Sequence, residues 1–267
     1  MEVSNRPSLE NALAKTEGDA TSTLRATQVL VTAVRRLRLN ALLGNLGELR
    51  SAMDAAEKAL AIVSQQFANT KGGWDFNEEA CLLDGSFISE ILATAEKMGL
   101  RVFERDDRLY CYPALIRVFP ADRSVLIDKT REKRLRPTML VAHLKELQKK
   151  PPRFRPAVFM EALYSAYKKA VASRGKDLFG TNAVIALMEL YELFTLLPGQ
   201  SKEYSKQEFA RDIYLLHKSR IDTTKDGSKI NLAAARSKLA RKAITALTEE
   251  GEERYYYGIS FIPDSKE

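Results

Sequence analysis

From Thr21 to about Ala68 the chain carries no proline, and its apolar residues recur at helical spacing. Leu42, Leu46, Leu49, Met53, Ala56, Leu60, Val63 and Phe67 keep a strict four-three spacing through three and a half heptads. Upstream, Leu30, Val34, Leu37 and Ala41 obey the same rule, displaced by one residue. The displacement falls near Asn40, Gly44 and Gly47, where a helix bends or breaks. The spacing therefore predicts a coiled-coil-like helical arm over 21–70, either one long kinked helix or two helices in a hairpin. Such a seam needs a covering surface. Packing within the same domain would supply it, as would a second copy or another subunit. Leu42, Leu46, Leu49, Met53 and Leu60 are the residues expected to meet a partner.

Upstream of the arm, residues 1–20 lack periodicity and read as a flexible leader. They hold no apolar core of the kind a secretory signal needs, so no export is expected. No apolar run approaches the roughly 20 residues that span a bilayer. Cys81 and Cys111 are expected as two buried free thiols in a reducing cytoplasm, because one pair is sparse for a secreted framework. With two histidines, His143 and His217, and no Cys/His cluster at ligand spacing, neither metal nor cofactor is expected.

Beyond the arm the periodicity changes twice. Lys71-Gly72-Gly73-Trp74 reads as a loop, with the lone tryptophan as an anchor. Asp84 or Ser86 caps a helix that Gly99 ends. Two hairpins follow: Leu100–Glu104 with Arg108–Tyr112, and Leu115–Phe119 with Ser124–Asp128. Pro137 opens a helix to about Lys150, and Pro151-Pro152 stops it. Further helices are expected over 158–173 and 181–197. Ser205-Lys206-Gln207-Glu208 is a capping box opening another to about Lys218. A hairpin is expected over 220–232 around Asp226-Gly227, and a closing hairpin joins Ala243–Thr248 to Arg254–Phe261. Residues 235–248 suit a helix as well.

The fold class is thus α+β and mainly helical. It divides into a leader (1–20), the arm (21–70), a helix-plus-hairpin module (71–136) and a helical domain (137–267). A helix followed by a β-hairpin, met around residue 99 and again after Ser205, resembles the order of winged-helix modules; the resemblance is topological.

The charge is local. The chain carries +7 overall. Between Lys129 and Arg155 ten basic residues face only Glu132 and Glu146, a net +8, so all other residues together carry −1. Lys129, Arg131, Lys133, Arg134 and Arg136 precede the helix at Pro137; Lys145, Lys149, Lys150, Arg153 and Arg155 surround its far end. Clustered cations bind phosphates because each neutralised phosphate releases a condensed counterion. Phe154 would anchor the loop or stack on a base. Lys206, Arg211, Lys225 and Lys229 form a second cationic set, with Lys225 and Lys229 at a wing tip. A solvated basic face or an acidic protein partner explains the same charge.

No phosphate loop, nucleophile elbow or triad is present: Gly175-Lys176 lacks its upstream glycine and following hydroxyl. Glu104, Asp106, Asp107 and Asp128 are the carboxylates a metal-dependent nuclease would use, although Asp106-Asp107 suits a plain turn. The leading expectation is a non-enzymatic, nucleic-acid-binding subunit of a larger complex, with DNA favoured. A protein-interaction subunit is the alternative, and a nuclease comes third.

Overall fold

The structure, a computed structural model, describes residues 8–150, 154–175, 183–234 and 243–263. The chain is α+β and mainly helical, with two antiparallel sheets. It divides into two compact units, one of Met1–Gly99 with Val118–His143, the other of Leu100–Arg117 with Leu144–Glu267.

The first unit opens on two long helices, α1 (Leu9–Leu43) and α2 (Leu46–Gly72), joined by a tight turn. Ser8 caps α1, so residues 9–20, expected as leader, are already helical. Gly44 ends α1 at φ 68°, where a Cβ would be strained, and Asn45 caps α2 by accepting from the Glu48 N–H. Of the two arrangements compatible with the sequence, the hairpin is the one formed.

The seam between the helices is not the one the large residues predicted. On α1 the inward positions are Leu9, Ala12, Thr16, Asp19, Thr23, Ala26, Leu30, Ala33, Leu37 and Asn40, at unbroken three-four spacing. On α2 they are Leu49, Ala52, Ala56, Ala59, Val63, Gln66 and Thr70. Ala52 is 0% exposed, whereas Leu42 is 79% and Leu46 77% exposed. Small side chains let two backbones approach closely along their length, so the alanines take the contact. Met53, Leu60 and Phe67 are left on the flank.

The rest of this unit holds α3 (Glu78–Leu83), α4 (Ser86–Lys97), β4 (Ser124–Ile127), β5 (Thr130–Glu132) and the start of α5 (Pro137–Gln148). Phe87, Ile91, Ala95, Val125, Leu140 and Val141 are buried in it. Two carboxylates tie the hairpin base down. Glu90 accepts from the backbone N–H groups of Leu9 at 2.9 Å and Glu10 at 3.0 Å, and from the Ser8 hydroxyl. Glu10 in turn accepts from the Thr138 N–H at 2.9 Å and its hydroxyl at 3.1 Å, at the first turn of α5. Helix N-termini leave N–H groups unpaired, and an anion there is favoured.

Strands β1 (Phe103–Arg105), β2 (Arg108–Cys111) and β3 (Ala114–Phe119) pair antiparallel in chain order, and so do β4 and β5; the boundary between the units falls inside β3. Asp106 and Asp107 both have positive φ, as a two-residue hairpin loop requires. Strand β5 lies in the basic segment, where the sequence showed no strand pattern; three residues are too few to display one.

The second unit packs α6 (Pro156–Ser173), α7 (Leu187–Phe194), α8 (Gln200–Glu203) and α9 (Lys206–Ser219) with β6 (Ile185–Ala186), β7 (Lys229–Ala234), β8 (Ile244–Leu247) and β9 (Glu253–Ile262). Phe209 on α9 is fully buried, within about 6 Å of the rings of Phe159, Tyr191, Phe194 and Tyr204. The helix expected over 181–197 differs: Ile185 and Ala186 pair with β9, and helix begins only at Leu187. Gly258 permits that pairing, since a Cβ there would lie 2.5 Å from the Ile185 carbonyl oxygen. Residues 181 and 182, like the stop at Pro151-Pro152 and the helix alternative over 235–242, lie outside the described residues. Strand β7 was expected to pair with 220–224, but it pairs with β9, leaving one bridge, Thr223 to Lys229. The closing hairpin is present, as β8 and β9.

Candidate functional site

The basic segment is distributed between the two units: Lys129 to Arg136 belong to the first, Lys149, Lys150 and Arg155 to the second, and Arg153 lies outside the described residues. Much of its charge is committed internally. Arg131 pairs with Asp122 and lies over the Phe119 ring at 5.2 Å. Arg134 binds the Glu132 carboxylate with two guanidinium nitrogens, at 3.0 and 2.5 Å. These bonds and the Arg134 N–H hold the Glu132 carboxyl down to about 2. Arg136 joins Glu10 at 2.7 Å and Glu17 at 2.5 Å, linking the start of α5 to α1. Lys149 meets Glu146 at 2.6 Å, one helical turn away. Lys129 and Lys133, exposed on either side of β5, make no ion pair among the described residues, and neither do Lys150 and Arg155.

The second cationic set separates in the same way. Lys206 is exposed at the first turn of α9. Arg211 is only 19% exposed; its guanidinium donates to Asp212 at 3.1 Å and to the Pro113 carbonyl at 3.5 Å. Asp212 is buried and accepts from the Tyr204 hydroxyl at 2.8 Å. The capping box forms as expected, with Ser205 and Glu208 both buried and Arg108 donating to the Ser205 hydroxyl at 3.1 Å. Eight of the fourteen residues of α9 are buried, so this helix builds core and offers no long free face to a groove. Lys225 and Lys229 are exposed, one at the turn and the other on β7.

Sequence reasoning passed over one feature and the α1 half of another. One is a cleft of about 1000 Å³ in the second unit, bordered by His217, Lys218, Asn231, Arg254 and Tyr256. There His217 Nδ1 and the Tyr256 hydroxyl share a hydrogen bond of 2.9 Å. Burial, and after it the Arg254 charge, pushes the His217 imidazole down from its usual value. These groups are 39 residues apart, and only the antiparallel return of β9 joins them.

The other is the flank of the α1–α2 hairpin. Taking the inward residues as heptad positions a and d, Leu46, Met53, Leu60 and Phe67 all fall at e on α2, seven residues apart. Position e of α1 holds Leu13, Ala20, Thr27, Val34 and Ala41, and position b beside it holds Leu24 and Val31 in its middle, between Glu10 and Glu17 at one end and Arg38 at the other. In an antiparallel pair e flanks e, so these form one apolar stripe. The opposite flank is bridged by Arg36 and Glu48, both at g. Leu24, Val31, Val34, Leu46, Met53, Leu60 and Phe67 are each between 43 and 77% exposed. Of the expected partner residues, Leu42, Leu46, Met53 and Leu60 stand free, while Leu49 is half-buried in the hairpin seam.

The carboxylates considered for a nuclease divide between the units, Glu104, Asp106 and Asp107 in the second and Asp128 in the first. Asp106 and Asp107 form a turn, and Asp128 has φ 52° at the β4–β5 turn. The described residues include no group of three or more His, Cys, Asp or Glu placed to hold a metal. None of their helices is long and apolar enough to cross a membrane. No protein-family model, curated protein or solved structure matches the chain.

Proposed function

We propose that the protein is a non-catalytic assembly subunit that docks a protein surface along the α1–α2 hairpin. The observation that carries this reading is the apolar stripe. Isolated exposed leucines are ordinary, but a contiguous apolar band at heptad spacing marks an interaction site. Recovery of the protein from its own cells, as wild type and as the Met53→Lys/Leu60→Lys variant, tests it. Both residues are more than half exposed, so the variant should keep its circular dichroism and melting temperature. A stoichiometric protein component, a second copy included, should be lost from the variant; identical recovery would remove the reading.

A second reading, phosphate contact on nucleic acid, rests on exposed Lys129, Lys133, Lys225 and Lys229, which no acidic side chain among the described residues neutralises. The second unit also supports a winged-helix-like reading: α6, β6, α7, α9, β7 and β9 in chain order, with sheet order β6-β9-β7. Its wing, rather than the buried α9, would then touch phosphate. Lys129→Glu/Lys133→Glu should weaken duplex DNA binding and flatten its salt dependence by about one unit of slope for each phosphate no longer neutralised. A wild-type chain without affinity for DNA at low salt ends this reading.

A further inference from the structure

We infer that the hairpin stripe is covered by a second copy of this chain, packed antiparallel about a two-fold axis. The inference rests on the assembly-subunit reading and names its partner.

The stripe is self-complementary in a way a surface shaped for an unrelated partner need not be. On α2 the apolar residues are Leu46, Met53, Leu60 and Phe67. A two-fold axis between residues 56 and 57 sets Leu46 against Phe67 of the second copy, and Met53 against Leu60. The hairpin geometry then dictates what happens on α1, with no further choice. The turn lies at Gly44-Asn45, and at the other end the Lys15 side chain lies beside Gly73. Residues such as Ala33 and Ala56 therefore stand level, as do Leu30 and Ala59. Carried across at this level, the same axis passes between residues 32 and 33 of α1. It sets Val31 against Val34 of the second copy and Leu24 against Ala41. Arg38 meets Thr27, not a second arginine. One axis thus pairs apolar residues on both helices, which is the signature of an isologous contact.

The size also fits. With exposures between 43 and 77%, the seven large residues of the stripe present on the order of 800 Å², about the area each partner contributes to a standard stable interface. The product is a four-helix bundle in which the alanine seams hold each hairpin together and the large residues join the two hairpins.

Sedimentation velocity on the purified full chain provides the test. The wild type should be a dimer at high micromolar concentration. Met53→Lys/Phe67→Lys should be a monomer, with association weakened by about 100-fold or more and an unchanged helical spectrum. The register has its own readout. Chains carrying Val31→Cys should form oxidised cross-links when mixed with chains carrying Val34→Cys, and few when either is oxidised alone. Cys81 and Cys111 are buried and stay out of this reaction. A wild type that stays monomeric overturns the inference, as does a dimer that the lysines leave intact. If the monomeric chain still loses a different co-purifying protein on Met53→Lys/Leu60→Lys, the assembly-subunit reading survives and only the second copy is wrong.

Discussion

Single residues explain several local choices. Asp106 and Asp107 occupy φ values of 49° and 57°, a conformation glycine adopts without cost and other residues adopt at about 1 kcal/mol. Asp107→Gly should therefore raise stability by about 0.5–1 kcal/mol, read as a higher urea midpoint at unchanged slope. Gly258 has the opposite character. A methyl group would strike the backbone oxygen of Ile185, which cannot swing away as a side chain does. Gly258→Ala should cost about 2–4 kcal/mol and unpair β6 from β9, measurable as reduced amide protection at Ile185 and Ala186. The cysteines follow the sequence expectation of buried free thiols. Burial pushes Cys111 up to about 12 and Cys81 up to about 11, so both are far from thiolate at neutral pH.

At the scale of elements, helix ends are held by carboxylates from distant parts of the chain. Burial alone would raise the Glu10 carboxyl, but the Thr138 N–H, the Arg136 guanidinium and the Thr138 hydroxyl hold it below the usual value. A depressed carboxylate stabilises the fold above its unfolded value and loses that contribution as pH falls through the folded one. Melting curves should therefore show stability declining below about pH 4.5. Glu10→Gln should cost about 1–2 kcal/mol at pH 7 and lessen that acid-side decline. Equal losses at pH 7 and pH 3 would disprove the ionic part of this account. The same pairing changes the meaning of Arg136. Its substitution removes the partner of two glutamates, so an affinity change in an Arg136 variant reports on fold as much as on phosphate. Lys129 and Lys133 are the cleaner positions.

At the scale of the whole molecule, the +8 segment is a property of the sequence that the structure partly dissolves. Arg131, Arg134, Arg136 and Lys149 hold carboxylates, so any phosphate contact from the segment draws first on Lys129, Lys133, Lys150 and Arg155. Any DNA affinity should then show a salt slope shallower than ten cations suggest. By contrast, the exposed apolar surface grows when the fold is known, because small residues take the internal seam.

The sequence alone determined what depends on neighbours within a few residues. The capping box at Ser205, the start of α5 at Pro137 and the β1–β2 and β8–β9 hairpins are set by short-range hydrogen bonds and dihedral preferences, and all are present; the helix expected near Ser86 forms too, but its N-cap is Gly85 in the left-handed region rather than Asp84 or Ser86. Only the tertiary structure decided which apolar stripe of the arm faces inward and which cations are neutralised. It also decided that β7 pairs with β9, and that His217 meets Tyr256. The reason is physical. A helical repeat shows that apolar faces exist, but the face that is buried is the one along which two backbones come closest. Here Ala52, Ala56 and Ala59 of α2 take that place, and Leu46, Met53 and Leu60 are left at the surface.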